Sequence, residues 1–417
     1  MGEYKMILEK AIVPDIKDGC PTKEDWEARR KLILNTLSEI EYGKRPAVDY
    51  AVTWKQLLRE PVEPLHAIHM RTEITVQTSY GAISFPVTVF LPKQNRKVPA
   101  AILICSENKH AEPPHNGTVS NPTEKTFRTL FQQFGILSED PDALIATFLK
   151  NAEKRRTCKA NTLDLDTDYD TGHWPVREML KQNFAMVGFY ANDAEPDIAN
   201  QFPSKLASIF GTQKQRKAHE WGILSVWAFA AQCVMDYVEQ IPEIDSSQVT
   251  LAGHSRCGKV ALWSGANDER FHAVMANGSG CCGASLSLGK TGENLFSIQT
   301  AFPHWFAPAF LNYACKEKEL PFDQHFLLAT VAPRILHIGS GSKDAWSDPE
   351  GEYFSTFLAS KAWEYYMTDS TYPKMTGHFP SANEHEIAGK VGYHLREGEH
   401  LLDTFDWMCL VDHLKRQ

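Results

Sequence analysis

The residues best equipped for chemistry lie together in residues 249–261, VTLAGHSRCGKVA. An apolar run of strand length, 249–253, enters a sharp turn at Ser255, and a helical pattern follows at once. This is how a nucleophile elbow is built. The turn holds the serine in a strained backbone conformation and lifts its hydroxyl above the carboxyl edge of a sheet, so its neighbours must be small. Gly253 is one such neighbour; two residues after the serine, where a second glycine is usual, stands Cys257, with Gly258 one place later. The same stretch also satisfies G-x-x-x-x-G-K through Gly253, Gly258 and Lys259, the pattern of a phosphate-cradling loop. It departs from that loop at Val260, where a Ser or Thr hydroxyl should hold Mg²⁺.

A serine nucleophile needs a base and an orienting acid, which in hydrolases with such an elbow follow in the order Ser, acid, His. Nine histidines lie downstream of Ser255: 272, 304, 325, 337, 378, 385, 394, 400 and 413. His400 is best placed, after a strand pattern at 391–395 and before a terminal helical pattern at 402–414. His378 competes but no strand leads into it, and His394 falls within the strand itself. The acid should follow the apolar run 335–338, in GSGSKDAWSDPEG. Asp344 comes first; Asp348 and Glu350 are alternatives, and Asp348 before Pro349 also suits the start of a helix.

These residues need a scaffold, and the chain supplies one. Unbroken apolar runs at 98–105, 184–190, 249–253, 273–276 and 335–338 alternate with helical patterns at 174–181, 218–240, 259–267, 353–367 and 402–414. Short apolar strands separated by helices predict an α/β fold, with a mostly parallel central sheet covered by helices on both faces. Alternation around Gly81 predicts an antiparallel hairpin over 66–92. Ahead of it, Thr22 with Asp25 three residues on opens a helix, giving an N-terminal arm over 1–65 packed on a hydrolase domain over 66–417. Residues 107–171 break the rhythm: they are polar, rich in Pro and Asn, and carry helical patches near 126–134 and 142–154. They read as an insertion after the third strand, above the edge where such folds place their sites.

Composition narrows the function. The 417 residues carry 43 Lys and Arg against 52 Asp and Glu, a formal charge of −9, which disfavours nucleic acid and anionic membranes as partners. The apolar window 223–235 is too short to span a bilayer. Charges at Glu3, Lys5, Glu9 and Lys10 leave no signal-peptide core, so a cytoplasmic location is expected. Nine cysteines without a CxxC pair suggest buried apolar thiols in a reducing compartment and no metal site.

The segment GHSRCGK resembles the G-x-S-R-x-G-K elbow of the glucuronoyl esterases, carbohydrate esterase family 15 of the α/β-hydrolase superfamily. The likeness continues through DERF (268–271), SGCCGASL (279–286), FPHWF (302–306), LPFDQHFLLATVAPR (320–334), DAWSDPEGE (344–352) and REGEH (396–400). It implies Ser255 as nucleophile, His400 as base, Arg256 as oxyanion donor, and Lys259, Trp346 and Glu293 as sugar contacts, with no metal or organic cofactor. One position departs: many members carry the acid in an E-S-G segment where this chain has Gly278, so Asp344 should take over. The implied substrates are small carbohydrate esters of plant cell walls, 4-O-methyl-glucuronoyl esters first and acetyl esters of xylan second. A carbohydrate-binding protein on a retired hydrolase fold is the non-enzymatic alternative.

Overall fold

A computed structural model describes residues 13–110, 162–367 and 373–417, together with Asp142 and Ala146. Ten strands form one sheet: β1 (Tyr50–Val62), β2 (Ala67–Thr78), β3 (Gly81–Pro92), β4 (Val98–Cys105), β5 (Ala185–Tyr190), β6 (Ile244–His254), β7 (Ala273–Asn277), β8 (Ile335–Gly341), β9 (Glu384–Ala388) and β10 (Val391–Arg396). Their spatial order is β1-β2-β3-β5-β4-β6-β7-β8-β10-β9. The six from β5 to β10 in that order run parallel, flanked by antiparallel β1, β2 and β3 on one side and β9 on the other.

The parallel strands have few polar residues because both faces are covered. Every residue of β5, β7, β8 and β10 is buried. Ile223–Val238 and Arg256–Asn267 pack against each other, the first almost wholly buried, and Thr404–Lys415 lies against β10 and β8. The N-terminal helix, Lys23–Ile40, begins at the anticipated capping box: Asp25 N donates to Thr22 Oγ1 (3.2 Å) and Thr22 N to Asp25 Oδ2 (3.1 Å). Its buried face carries Trp26, Ile33 and Leu37, and Arg30 Nε donates to Thr330 O (2.7 Å).

Two boundaries differ from the expectation. Residues 50–62, assigned to the arm, are the edge strand β1, so the arm proper ends before Tyr50. The strand is exposed on both faces, which removes the alternation that would mark it. Counting it makes 98–105 the fourth strand, and the long excursion follows that one. The described ends of the excursion meet: Asn108 bridges Leu163, and Lys109 N donates to Leu163 O (3.0 Å). Asp166 anchors them to the hairpin, accepting from Thr88 Oγ1 (2.8 Å) and lying 3.0 Å from His69 Nε2. The helical patch near 126–134 lies outside the described residues, as does that near 142–154 apart from Asp142 and Ala146, both helical.

Candidate active site

Strand β6 delivers Ser255 to the carboxyl edge of the sheet with φ 57° and ψ −125°, immediately before the helix Arg256–Asn267. A non-glycine residue at positive φ costs on the order of 1–3 kcal/mol and needs a surrounding structure that enforces it. Here the serine is pinned from both sides, its N–H donating to Asn277 O (2.8 Å) and its carbonyl accepting from Gly258 N (2.9 Å). Gly253 is required by space, since a Cβ there would stand 2.1 Å from Cys257 O. Cys257, in place of the second glycine, is buried, and burial pushes its thiol up to about 12. It fills space without titrating.

The loops after β8 and β10 bring the other two groups together. His400 Nδ1 lies 2.5 Å from Asp344 Oδ2 and 3.2 Å from Ser347 Oγ. Burial works to raise the Asp344 carboxyl, but its bond to His400 and the Ser347 N–H (3.2 Å) outweigh this and hold it below its ordinary value. With Nδ1–H turned to Asp344, Nε2 is the nitrogen left to take a proton. The two loops are laced together, Ser342 N donating to Arg396 O and Lys343 N to Gly398 O, each at 2.8 Å. His400 adjoins the elbow through His254, the residue before Ser255, whose ring centroid is 4.5 Å from its own.

Position 278, where the resemblance expects an acid, adjoins the His400 imidazole. A Cβ on Gly278 would lie 3.2 Å from His400 Nδ1, so a carboxylate there would reach the same imidazole from β7. Glycine leaves that approach empty and Asp344 makes it from β8. The alternatives have other partners. Asp348 caps the helix Pro349–Ser360, accepting from Gly351 N (3.1 Å), and stands 3.6 Å from Lys290 Nζ. Glu350 lies in the first turn of that helix, and His378 is exposed in the segment leading to β9.

Arg256 is held by a residue without a sequence signature. Its Nη1 donates to Asp197 Oδ2 (2.5 Å), and Asp197 Oδ1 accepts from His304 Nε2 and Trp305 Nε1, both at 2.7 Å. Burial works against the Asp197 charge, yet the guanidinium and these donors take its carboxyl down to about 2. The guanidinium also lies over Trp305 and Phe302, 5.2 and 5.8 Å from the ring centroids. His304 and Trp305 fall in the FPHWF segment noted above; Asp197, beyond β5, does not stand out from its polar neighbours.

The three expected sugar contacts are placed unequally. Lys259 is buried, with its ammonium donating to Ser279 O and to Cys281 O (2.7 Å). Two of the ammonium's three N–H donors thus tie the 279–281 loop to the helix. Trp346 is half-buried in the Asp344 loop, and its carbonyl accepts from Glu293 N (3.0 Å), so Glu293 adjoins that loop. Of the eight described cysteines seven are buried. Among the described residues no cluster of three or more His, Cys, Asp or Glu is arranged to hold a metal, and no helix is long and apolar enough to cross a membrane.

Comparison with known proteins places the chain among carbohydrate esterases. Residues 172–366 match the family model described as glucuronyl esterase, fungi. A carbohydrate esterase, MZ0003, from an unknown prokaryotic organism is 35% identical over 415 residues, covering 97% of this chain and 89% of its own. The 4-O-methyl-glucuronoyl methylesterase of Hypocrea jecorina is 30% identical over 194 residues, 43% of this chain and 40% of its length. Among solved structures, a promiscuous CE15 esterase from a marine bacterial metagenome superposes with a TM-score of 0.74 at 28% identity, covering 97% of this chain and 96% of that one. The glucuronoyl esterase from Solibacter usitatus gives 0.76 at 26% identity, covering 97% of each chain. A relative more than one-third identical along nearly the whole length, on the same α/β-hydrolase scaffold, assigns the chain to carbohydrate esterase family 15, the glucuronoyl esterase family.

Proposed function

We propose that this protein hydrolyses carboxylic esters of plant cell-wall saccharides, with 4-O-methyl-glucuronoyl esters as its main substrates, through Ser255, His400 and Asp344. The observation that carries the reading is the 2.5 Å pair of His400 and Asp344 beside a serine held at φ 57°. His400 Nε2 takes the Ser255 proton as Oγ attacks the ester carbonyl; the tetrahedral intermediate collapses, the proton passes to the leaving alkoxide, and an acyl-serine remains. Water, deprotonated by the same imidazole, attacks the acyl-serine and releases the acid. Asp344 keeps its charge throughout and steadies the imidazolium. The oxyanion meets the amide N–H and guanidinium of Arg256, donors already oriented by the helix start and by Asp197, so little reorganisation is needed as charge develops.

In a uronoyl ester the sugar is the acyl group and must lie against Arg256, Trp346 and Glu293. Glucuronoyl preference is supported by the family and by the curated relative named for it. A wider ester range is favoured by the solved relative described as promiscuous. The two separate in parallel assays of the methyl ester of 4-O-methyl-glucuronate and of acetylated xylo-oligosaccharide. Higher kcat/KM for the uronate ester is expected, and a preference for the acetyl ester would reverse the assignment.

A further inference from the structure

Four ionisable side chains that touch no part of the proposed triad form a continuous buried string behind it. His413 Nε2 lies 2.8 Å from Gly389 O; His413 Nδ1 and His337 Nδ1 are 3.0 Å apart; His337 Nε2 and His394 Nδ1 are 2.8 Å apart; and His394 Nε2 is 2.7 Å from Asp406 Oδ1. All four side chains are fully buried. Space is cleared for them: a Cβ on Gly339 would stand 2.2 Å from His394 Cε1, and one on Gly392 would stand 2.6 Å from His413 Nδ1.

The string has a fixed proton count. A carbonyl only accepts, so His413 Nε2 carries a hydrogen, and each of the three remaining links needs one more. Four hydrogens on three imidazoles and a carboxylate make the unit neutral as a whole, with the extra proton shared between His394 and Asp406. Burial holds His337 well below the usual histidine range and His413 down to about 4, which keeps those two uncharged.

At that end Asp406 Oδ2 accepts from Arg396 Nε (3.0 Å). Arg396 Nη2 in turn donates to Glu399 O (2.8 Å) and Leu401 O (2.7 Å), the two carbonyls flanking His400, and Nη1 donates to Glu397 O (3.1 Å). We infer that Arg396, oriented by Asp406 and the three-histidine string, is the positioning residue that fixes the His400 loop for proton transfer. Its planar fork suits this task, since one guanidinium can meet a carboxylate and several carbonyls at fixed angles, whereas an ammonium is a single point of charge. The inference rests on His400 being the base.

The test uses the full chain, with kcat and KM on the uronate methyl ester, the rate of Ser255 labelling by a fluorophosphonate, and the melting temperature. Arg396→Lys is expected to lower kcat and the labelling rate together, on the order of 100-fold for a base displaced by about an ångström, with KM nearly unchanged. Asp406→Ala should show the same split. Asp406→Asn should restore most of the rate, because its carbonyl accepts from Arg396 and its amide N–H supplies the hydrogen that His394 Nε2 then accepts. Wild-type kcat in folded Arg396→Lys, or Asp406→Asn as impaired as Asp406→Ala, would overturn the proposal. Should a variant unfold, the comparison within the Asp406 pair still decides it. Activity surviving in His400→Ala would instead overturn the assignment of the base.

Discussion

An imidazole can be oriented by a carboxylate arriving from more than one strand. Positions 278 and 344 both reach His400 Nδ1, from the ends of β7 and β8, and this chain uses the second. Asp344→Asn should lower kcat by roughly 10⁴ while leaving the fold intact, as the wrong tautomer does in other triads. Asp348→Ala should do the reverse, costing about 3–5 kcal/mol in stability because the helix loses its cap and the buried Lys290 its counter-charge, but leaving kcat close to wild type. Chemical denaturation and initial rates on both variants check this, and a large kcat loss confined to Asp348→Ala would move the acid. Ser255, Asp344 and His400 were legible because each follows an apolar strand at a place where hydrolases put chemistry. Asp197 and Arg396 were not, since their importance arises from whom they meet: Arg256 lies 59 residues from Asp197, and the carbonyls of Glu399 and Leu401 are backbone atoms that any sequence supplies.

At the scale of elements, the parallel strands were readable from their unbroken apolar runs, and every one of them appears within a few residues of its expected place. Strands β1 and β9 were missed for one reason. Both are edge strands with exposed side chains, so neither burial nor alternation marks them, and pairing to β2 and β10 defines them. The elbow shows the opposite case, where one atom decides an element. Adding a methyl at Gly253 drives it into Cys257 O, a backbone atom that cannot step aside without unwinding the first turn of the helix. Gly253→Ala should therefore destabilise the protein by about 2 kcal/mol or more and abolish fluorophosphonate labelling of Ser255. Normal labelling at wild-type melting temperature would contradict the elbow's steric origin.

Across the molecule, buried ionisable groups set the response to pH. Burial lowers His173, His325 and His413 to about 4, and takes His254 and His337 well below 6.5. Between about pH 6.5 and 4 the unfolded chain binds protons at these residues and the native state does not, so stability falls with falling pH by about 1.4 kcal/mol per histidine per unit. Burial raises Glu41 and Glu352 to about 7, which acts oppositely over roughly pH 4.5 to 7, since the unfolded carboxylates ionise first. Five histidines outweigh two carboxylates. The melting temperature should peak near pH 7 and drop steeply below pH 6, and a flat profile down to pH 4.5 would show that these histidines are charged in the native state. The overall charge of −9 gives no attraction for an anionic uronate, the product of the proposed reaction, and Arg256, next to Ser255, is paired with Asp197.

The proposal that Ser255 is the nucleophile of a carbohydrate esterase is tested most directly by kcat of Ser255→Ala on the methyl ester of 4-O-methyl-glucuronate. The expected result is a loss of roughly 10⁶-fold in a protein of unchanged melting temperature. Turnover within tenfold of wild type would contradict it.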